Sequence, residues 1–137
     1  MTDHSPPGHT TTTDDGIVIV SCPGELDLAR APGLRGALLG PIHAGVRGIV
    51  ADLTETTYCD STVFSVLVEA FRDAGARGVP YAIAAGESAV ARPLQILGLD
   101  RLLPLHDRVE AAQAAVEGRP VAPNGRDEVP GASAVSS

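Results

Sequence analysis

A chain of 137 residues, 44% hydrophobic and 20% charged, is long enough for one domain around one core and too short for two comfortable ones. Aromatic residues make up only 3% and Trp is absent, so the core is aliphatic and there are no rings on which single-stranded nucleic acid could stack. The net charge is −7 and every basic residue is an Arg, spaced singly along the chain, which leaves no cationic stripe to neutralise phosphates and speaks against a nucleic-acid partner.

In chain order, residues 1–8 (MTDHSPPG) are polar and lack the charged-then-apolar pattern of a signal peptide. No apolar run approaches the roughly 20 residues needed to span a bilayer, so a cytoplasmic protein with no membrane partner is expected. HTTTT and IVIVSCPGELD flank an Asp-Asp-Gly turn and predict a hairpin, whose second strand, Ile17 to Cys22, is apolar on both faces and therefore internal. Ala31, Leu34, Leu38 and Leu39 recur at helical spacing, with Pro32 tolerable only in a first turn, so a helix is expected from near Ala29. GIVADL is a short continuous apolar run, as in a strand covered on both faces.

From Thr62 to Ala76 the period becomes helical. Val63, Leu67, Ala70, Phe71 and Ala74 share one face, Ser65, Glu69, Arg72 and Asp73 another, and Gly75 or Gly78 ends the helix. VPYAIAA is a further strand, SAVARPLQILG a short helix closed by Gly98, LLPLH a last strand, and DRVEAAQAAVEG a last helix with Asp107 as its N-cap. The order β-β-α-β-α-β-α-β-α predicts an α/β fold. Its sheet has four to five mostly parallel strands, an antiparallel strand at the N-terminus and about four helices. The domain is expected over residues 9–117, between tails 1–8 and 118–137 whose Pro, Gly, Ser and charge predict disorder. Cys22 and Cys59 have neither metal-ligand spacing nor the density of a disulfide scaffold and are expected to fill core gaps.

The stretch TETTYCDSTVFSVLVEAF, Thr54 to Phe71, sets an Asp-Ser-Thr triplet between a polar turn and an apolar run. In a parallel sheet the loops leaving the C-terminal ends of neighbouring strands lie side by side, where ligands and partners bind. PGELD follows one strand and TETTYCDST the next, so Glu25, Asp27, Glu55 and Asp60 are expected to gather at one end, with Ser61 and Thr62 at the start of a helix. Capping alone accounts for an acid and a hydroxyl there, because Asp, Ser and Thr are preferred N-cap residues. It does not account for the acidic GELD loop beside them.

GELDLARAP after an apolar strand, GIVADLTETTYCDSTVF, and SAVARPLQILGLDRLLPLHD near the C-terminus together resemble the STAS domain of bacterial anti-sigma factor antagonists, over roughly Asp15 to Val116. The resemblance implies a small α/β sandwich, monomeric by default, that binds an anti-sigma factor with ATP-dependent serine kinase activity and so releases a sigma factor. It implies inactivation by phosphorylation of the serine directly after the motif's acid, which is Ser61 here, with Thr62 as the alternative acceptor, and reversal by a phosphatase. Partner contacts are expected at Glu25, Asp27, Asp60 and Thr62 and along the helix at Ser65, Val66 and Glu69. The family commonly reads Asp-Ser-Ser-Gly or Asp-Ser-Thr-Gly; Val63 replaces the glycine, and its β-branched bulk is expected to restrict approach of the kinase.

Other functions fit the residues less well. Nucleophilic catalysis needs a base beside Ser61, and of the four imidazoles only His106, ending the last strand, falls on the right edge of the sheet. No Gly-x-Ser-x-Gly elbow and no Gly-rich phosphate loop is present, so no enzyme and no cofactor is expected. The loop carboxylates lack the spacing of a dedicated metal site. The open alternative is a STAS module that is not phosphorylated, a scaffold part or an accessory subunit of a transporter.

Overall fold

The computed structural model describes residues 9–118, so the sequence-based expectation for the two tails lies almost wholly outside the described residues. The elements are β1 (His9–Thr12), β2 (Ile17–Ser21), β3 (Gly24–Leu26), α1 (Ala31–His43), β4 (Gly48–Asp52), β5 (Thr56–Cys59), α2 (Ser61–Arg77), β6 (Tyr81–Ala84), α3 (Ala91–Ile96), a 3₁₀ turn (Leu99–Arg101), β7 (Leu105–His106) and α4 (Val109–Val116). Five strands form one sheet in the order β1-β2-β4-β6-β7, antiparallel only between β1 and β2. As the apolar run predicts, β2 is internal, paired with β1 on one side and β4 on the other.

Strand alternation splits the core into two layers. Val18, Val20, Ile49, Ala51 and Ile83 face α1 and α2 in the larger layer, while Ile17, Val50, Ala82 and Ala84 face α4 through Ala112 and Val116. α1 and α2 pack against each other over the first face, which stacks the two helices that follow the acidic loops. Gly48 is needed where the second layer closes, since a Cβ there would lie 2.9 Å from Ile17 Cδ1 and 3.2 Å from Val116 Cβ.

Several boundaries move. α1 begins at Ala31 rather than Ala29, with Pro32 in its first turn. Gly78, in the left-handed region at φ 70°, and not Gly75, closes α2. Asp107 does not cap α4: Arg108 occupies the cap position in extended conformation and no side chain accepts a hydrogen bond there. The larger difference is that both acidic loops contain strands. β3 and β5 pair in parallel as a second, two-stranded sheet, seeded where Gly24 N donates to Glu55 O at 3.0 Å. Strands of three and four residues are too short to show alternation, and this one is held by backbone bonds rather than by an apolar face.

Both cysteines are free and sit against the core, Cys22 buried and Cys59 half-buried, and burial pushes their thiols up to about 12 and about 11. Neither is an available nucleophile near neutral pH.

Candidate functional site

The site begins where β4 ends. Asp52 accepts hydrogen bonds from Ser21 Oγ at 3.3 Å and from both Thr54 N and Thr54 Oγ1, at 3.1 and 2.7 Å, which bends the chain away from the main sheet. Buried Thr56 then donates its hydroxyl to Cys22 O at 2.7 Å and ties the turn to the end of β2. β5 runs alongside β3 with Glu25 opposite Tyr58 and Leu26 opposite Cys59, and Asp60 N donates to Leu26 O at 2.8 Å. The convergence expected of GELD and DST is therefore a hydrogen-bonded register, which brings Glu25, Asp27 and Asp60 to one end of the molecule and leaves Glu55, also expected there, just ahead of β5 beside Gly24.

Asp60 is the N-cap of α2. Its Oδ1 accepts from Thr62 N at 2.9 Å and from Thr62 Oγ1 at 2.8 Å. These two donors, the backbone N–H foremost, hold the Asp60 carboxyl below the ordinary carboxylate range. Thr62 is half-buried and its hydroxyl is engaged. Ser61 is different: it is the first residue of α2, it is exposed, and its hydroxyl makes no hydrogen bond among the described residues. Val63 is fully buried in the larger core layer. Its side chain thus points away from the surface around Ser61, so the expected restriction from Val63 has no steric basis: at the third position of the helix the chain has already turned inward.

Asp27 holds the other turn in a similar way, its Oδ1 accepting from Arg30 N at 3.1 Å, while Arg30 Nη1 donates back to Glu25 O at 2.8 Å. Glu25 and Asp27 are exposed. Farther along α2, Ser65 is exposed, one turn beyond Ser61. Glu69 forms a bidentate pair with Arg35 of α1, at 2.8 and 2.6 Å, and His43 Nε2 lies 2.7 Å from Asp73 Oδ2. Val66 is only 8% exposed and belongs to the core, so it is withdrawn from the surface set; its position, three and four residues from Val63 and Ala70, keeps it on the apolar stripe. His106 lies on β7, the edge strand farthest from β1, and makes no side-chain hydrogen bond among the described residues.

Sequence reasoning missed the apolar part of the surface. Leu28 and Tyr58 are 63% and 51% exposed beside the acidic loops, and Ile96, Leu97 and Leu102 are exposed around α3 and the 3₁₀ turn. Between α2 and that segment runs a groove of about 560 Å³ whose lining includes Ser61, Phe64, Val68, Leu97 and Leu99. A signal was present: LQILGLDRLL carries more large apolar groups than a six-residue helix can bury. No helix among the described residues is long and apolar enough to cross a membrane.

The family profile of the STAS domain matches residues 9–112, from the first strand into the last helix. The chain belongs to the STAS domain family. Among its relatives is the anti-sigma-F factor antagonist RsfB of Mycobacterium tuberculosis, 27% identical over 109 residues that cover 80% of this chain and 88% of the relative. The crystal structure of an anti-sigma factor antagonist from Mycobacterium paratuberculosis superimposes with a TM-score of 0.71 at 28% identity, over 80% of this chain and 93% of that one. The anti-sigma factor antagonist SpoIIAA in its unphosphorylated form shares the fold, with a TM-score of 0.68 at 19% identity over 80% of this chain and 96% of that one. The STAS match thus runs through both acidic loops, the second of which ends in the Ser61 turn.

Proposed function

We propose that this STAS domain is an anti-sigma factor antagonist that binds an anti-sigma factor with serine kinase activity, releases the sigma factor, and is switched off by phosphorylation of Ser61. The observation that carries the reading is the state of one hydroxyl. Ser61 is exposed and makes no hydrogen bond among the described residues, while its neighbour Thr62 is committed to Asp60, so a kinase meets one available acceptor in the triplet. The names of the mycobacterial relatives point to the same class of partner.

The chemistry follows from position. A phosphate on Ser61 adds about −1.5 to −2 charges next to Asp60 and beside the Glu25 and Asp27 loop. Within the domain the N-terminus of the 17-residue α2 favours an anion, so the modified domain stays folded. At a partner surface the same charge adds repulsion and a desolvation cost, and moving a complex from 99% to 1% occupied takes about 5.5 kcal/mol. A phosphatase acting on phospho-Ser61 restores binding.

The test is to purify each anti-sigma factor with a kinase domain encoded in the source genome, incubate it with this protein and ATP, and measure the intact mass. The expected result is one added phosphate with one of these kinases, abolished in Ser61→Ala. No mass shift with any of them would remove the switch and leave a non-phosphorylated scaffold or transporter subunit.

A further inference from the structure

The groove between α2 and the α3 segment is not needed to present Ser61, yet it starts at that residue and continues along the helix. Ser61, Ser65 and Arg72 mark one stripe of α2, and from Ser61 to Arg72 the helix rises about 16 Å, three turns. The floor is apolar, formed by Phe64 and Val68 of α2 and by Leu97 and Leu99 opposite. Ile96, next to Leu97 in the chain, is 75% exposed. Contiguous exposed apolar surface of this kind marks interaction sites.

The charges on the rim choose the occupant. Glu69 and Asp73 both line the groove; Arg35 of α1 pairs with Glu69, while Asp73 Oδ2 lies 2.7 Å from His43 Nε2. Arg72 forms no ion pair among the described residues and is the cation of the groove lining. Outside the lining at the Ser61 end, Asp60 immediately precedes Ser61, and the register of β3 with β5 brings the Asp27 and Glu25 loop to the same end of the molecule. With a net charge of −7 on the chain, an anionic lipid surface is a poor match for so long an apolar stripe.

We infer that the groove receives an amphipathic helix of the partner protein, laid lengthwise along α2, with a carboxylate meeting Arg72 and a cation meeting the acids around Ser61. This rests on the function proposed above and adds where the binding energy comes from: Leu97 is the apolar anchor, and Ser61 lies at one end of the docked segment rather than at its centre. Helix-in-groove docking places anchors at intervals of three and four residues, and three turns of groove suit two or three of them.

The experiment measures the affinity of the same purified anti-sigma factors for wild type, Leu97→Glu, Leu97→Met, Arg72→Glu and, as a control off the groove, Arg77→Glu, with thermal melts to confirm folding. Leu97→Glu is expected to weaken binding about tenfold or more, Leu97→Met to restore it, Arg72→Glu to weaken it several-fold, and Arg77→Glu to leave it within about twofold. Wild-type affinity in folded Leu97→Glu or Arg72→Glu overturns the docking mode while the Ser61 switch stands. If no anti-sigma factor binds the wild type, the functional reading falls and the docking mode with it.

Discussion

Two turns of this molecule are built alike and present different chemistry. Each leaves a strand of the small parallel sheet, β3 or β5, reaches an acid, and enters a long helix, α1 or α2. In each the acid's Oδ1 accepts a backbone N–H, from Arg30 at Asp27 and from Thr62 at Asp60. After Asp27, three residues pass before α1 begins, and Arg30 folds back onto Glu25 O. After Asp60 the helix starts at once, so Ser61 is held at the first helical position with its hydroxyl outward. The acid is therefore a structural device used twice, and the difference lies in the residue that the cap displays.

The largest expected effect tests that difference directly. Ser61→Ala keeps partner binding and loses all phosphate incorporation by the cognate kinase, whereas Ser61→Glu weakens binding by about tenfold or more, read by titration calorimetry. Equal affinity of the two variants would sink the switch. Next comes the link between the turns. Leu26 is fully buried and its carbonyl accepts from Asp60 N, so Leu26→Ala is expected to cost about 2–5 kcal/mol in denaturant unfolding and to weaken partner binding beyond its effect on the folded fraction.

A smaller effect separates the caps by pH. Because the folded Asp60 carboxyl lies below its ordinary value of 3.8, its contribution to stability is complete above the unfolded value and is lost as pH falls through the folded one. Asp60→Asn should lower the melting temperature at pH 7 and flatten the acid limb of the stability curve below about pH 4. The smallest effect is expected from grafting a hydroxyl onto the other turn. Leu28→Ser places a serine directly after Asp27, at an exposed site that does not begin a helix, and should gain no second phosphate by intact mass; modification there would show that acid-serine order suffices without the helix start.

Much of this was legible in the sequence. The internal position of β2, the parallel crossovers and the extent of α2 all follow from apolar periods that local sterics and burial impose. The Asp-Ser-Thr triplet stood out because acids and hydroxyls at helix starts follow from capping chemistry, and the GELD loop because neighbouring parallel strands place their C-terminal loops side by side. Asp107 shows the limit of that rule: a suitable residue one position too early leaves α4 uncapped by any side chain. Val66 shows another, since a helical wheel drawn around Ser65 and Glu69 includes a neighbour that packing turns inward.

The sequence by itself determined which residue types stand at the two turns and that a helix follows each, because capping and periodicity are local. Tertiary structure decided where the Ser61 turn is held. The bonds that commit Thr62 are local, to Asp60 two residues before it, but the turn that carries them is fixed by Asp60 N donating to the carbonyl of Leu26, 34 residues earlier in the chain. It also decided that Val63 is buried and that Leu97 is exposed, because both depend on which elements pack over them, and that follows from the sheet order rather than from any neighbour in sequence.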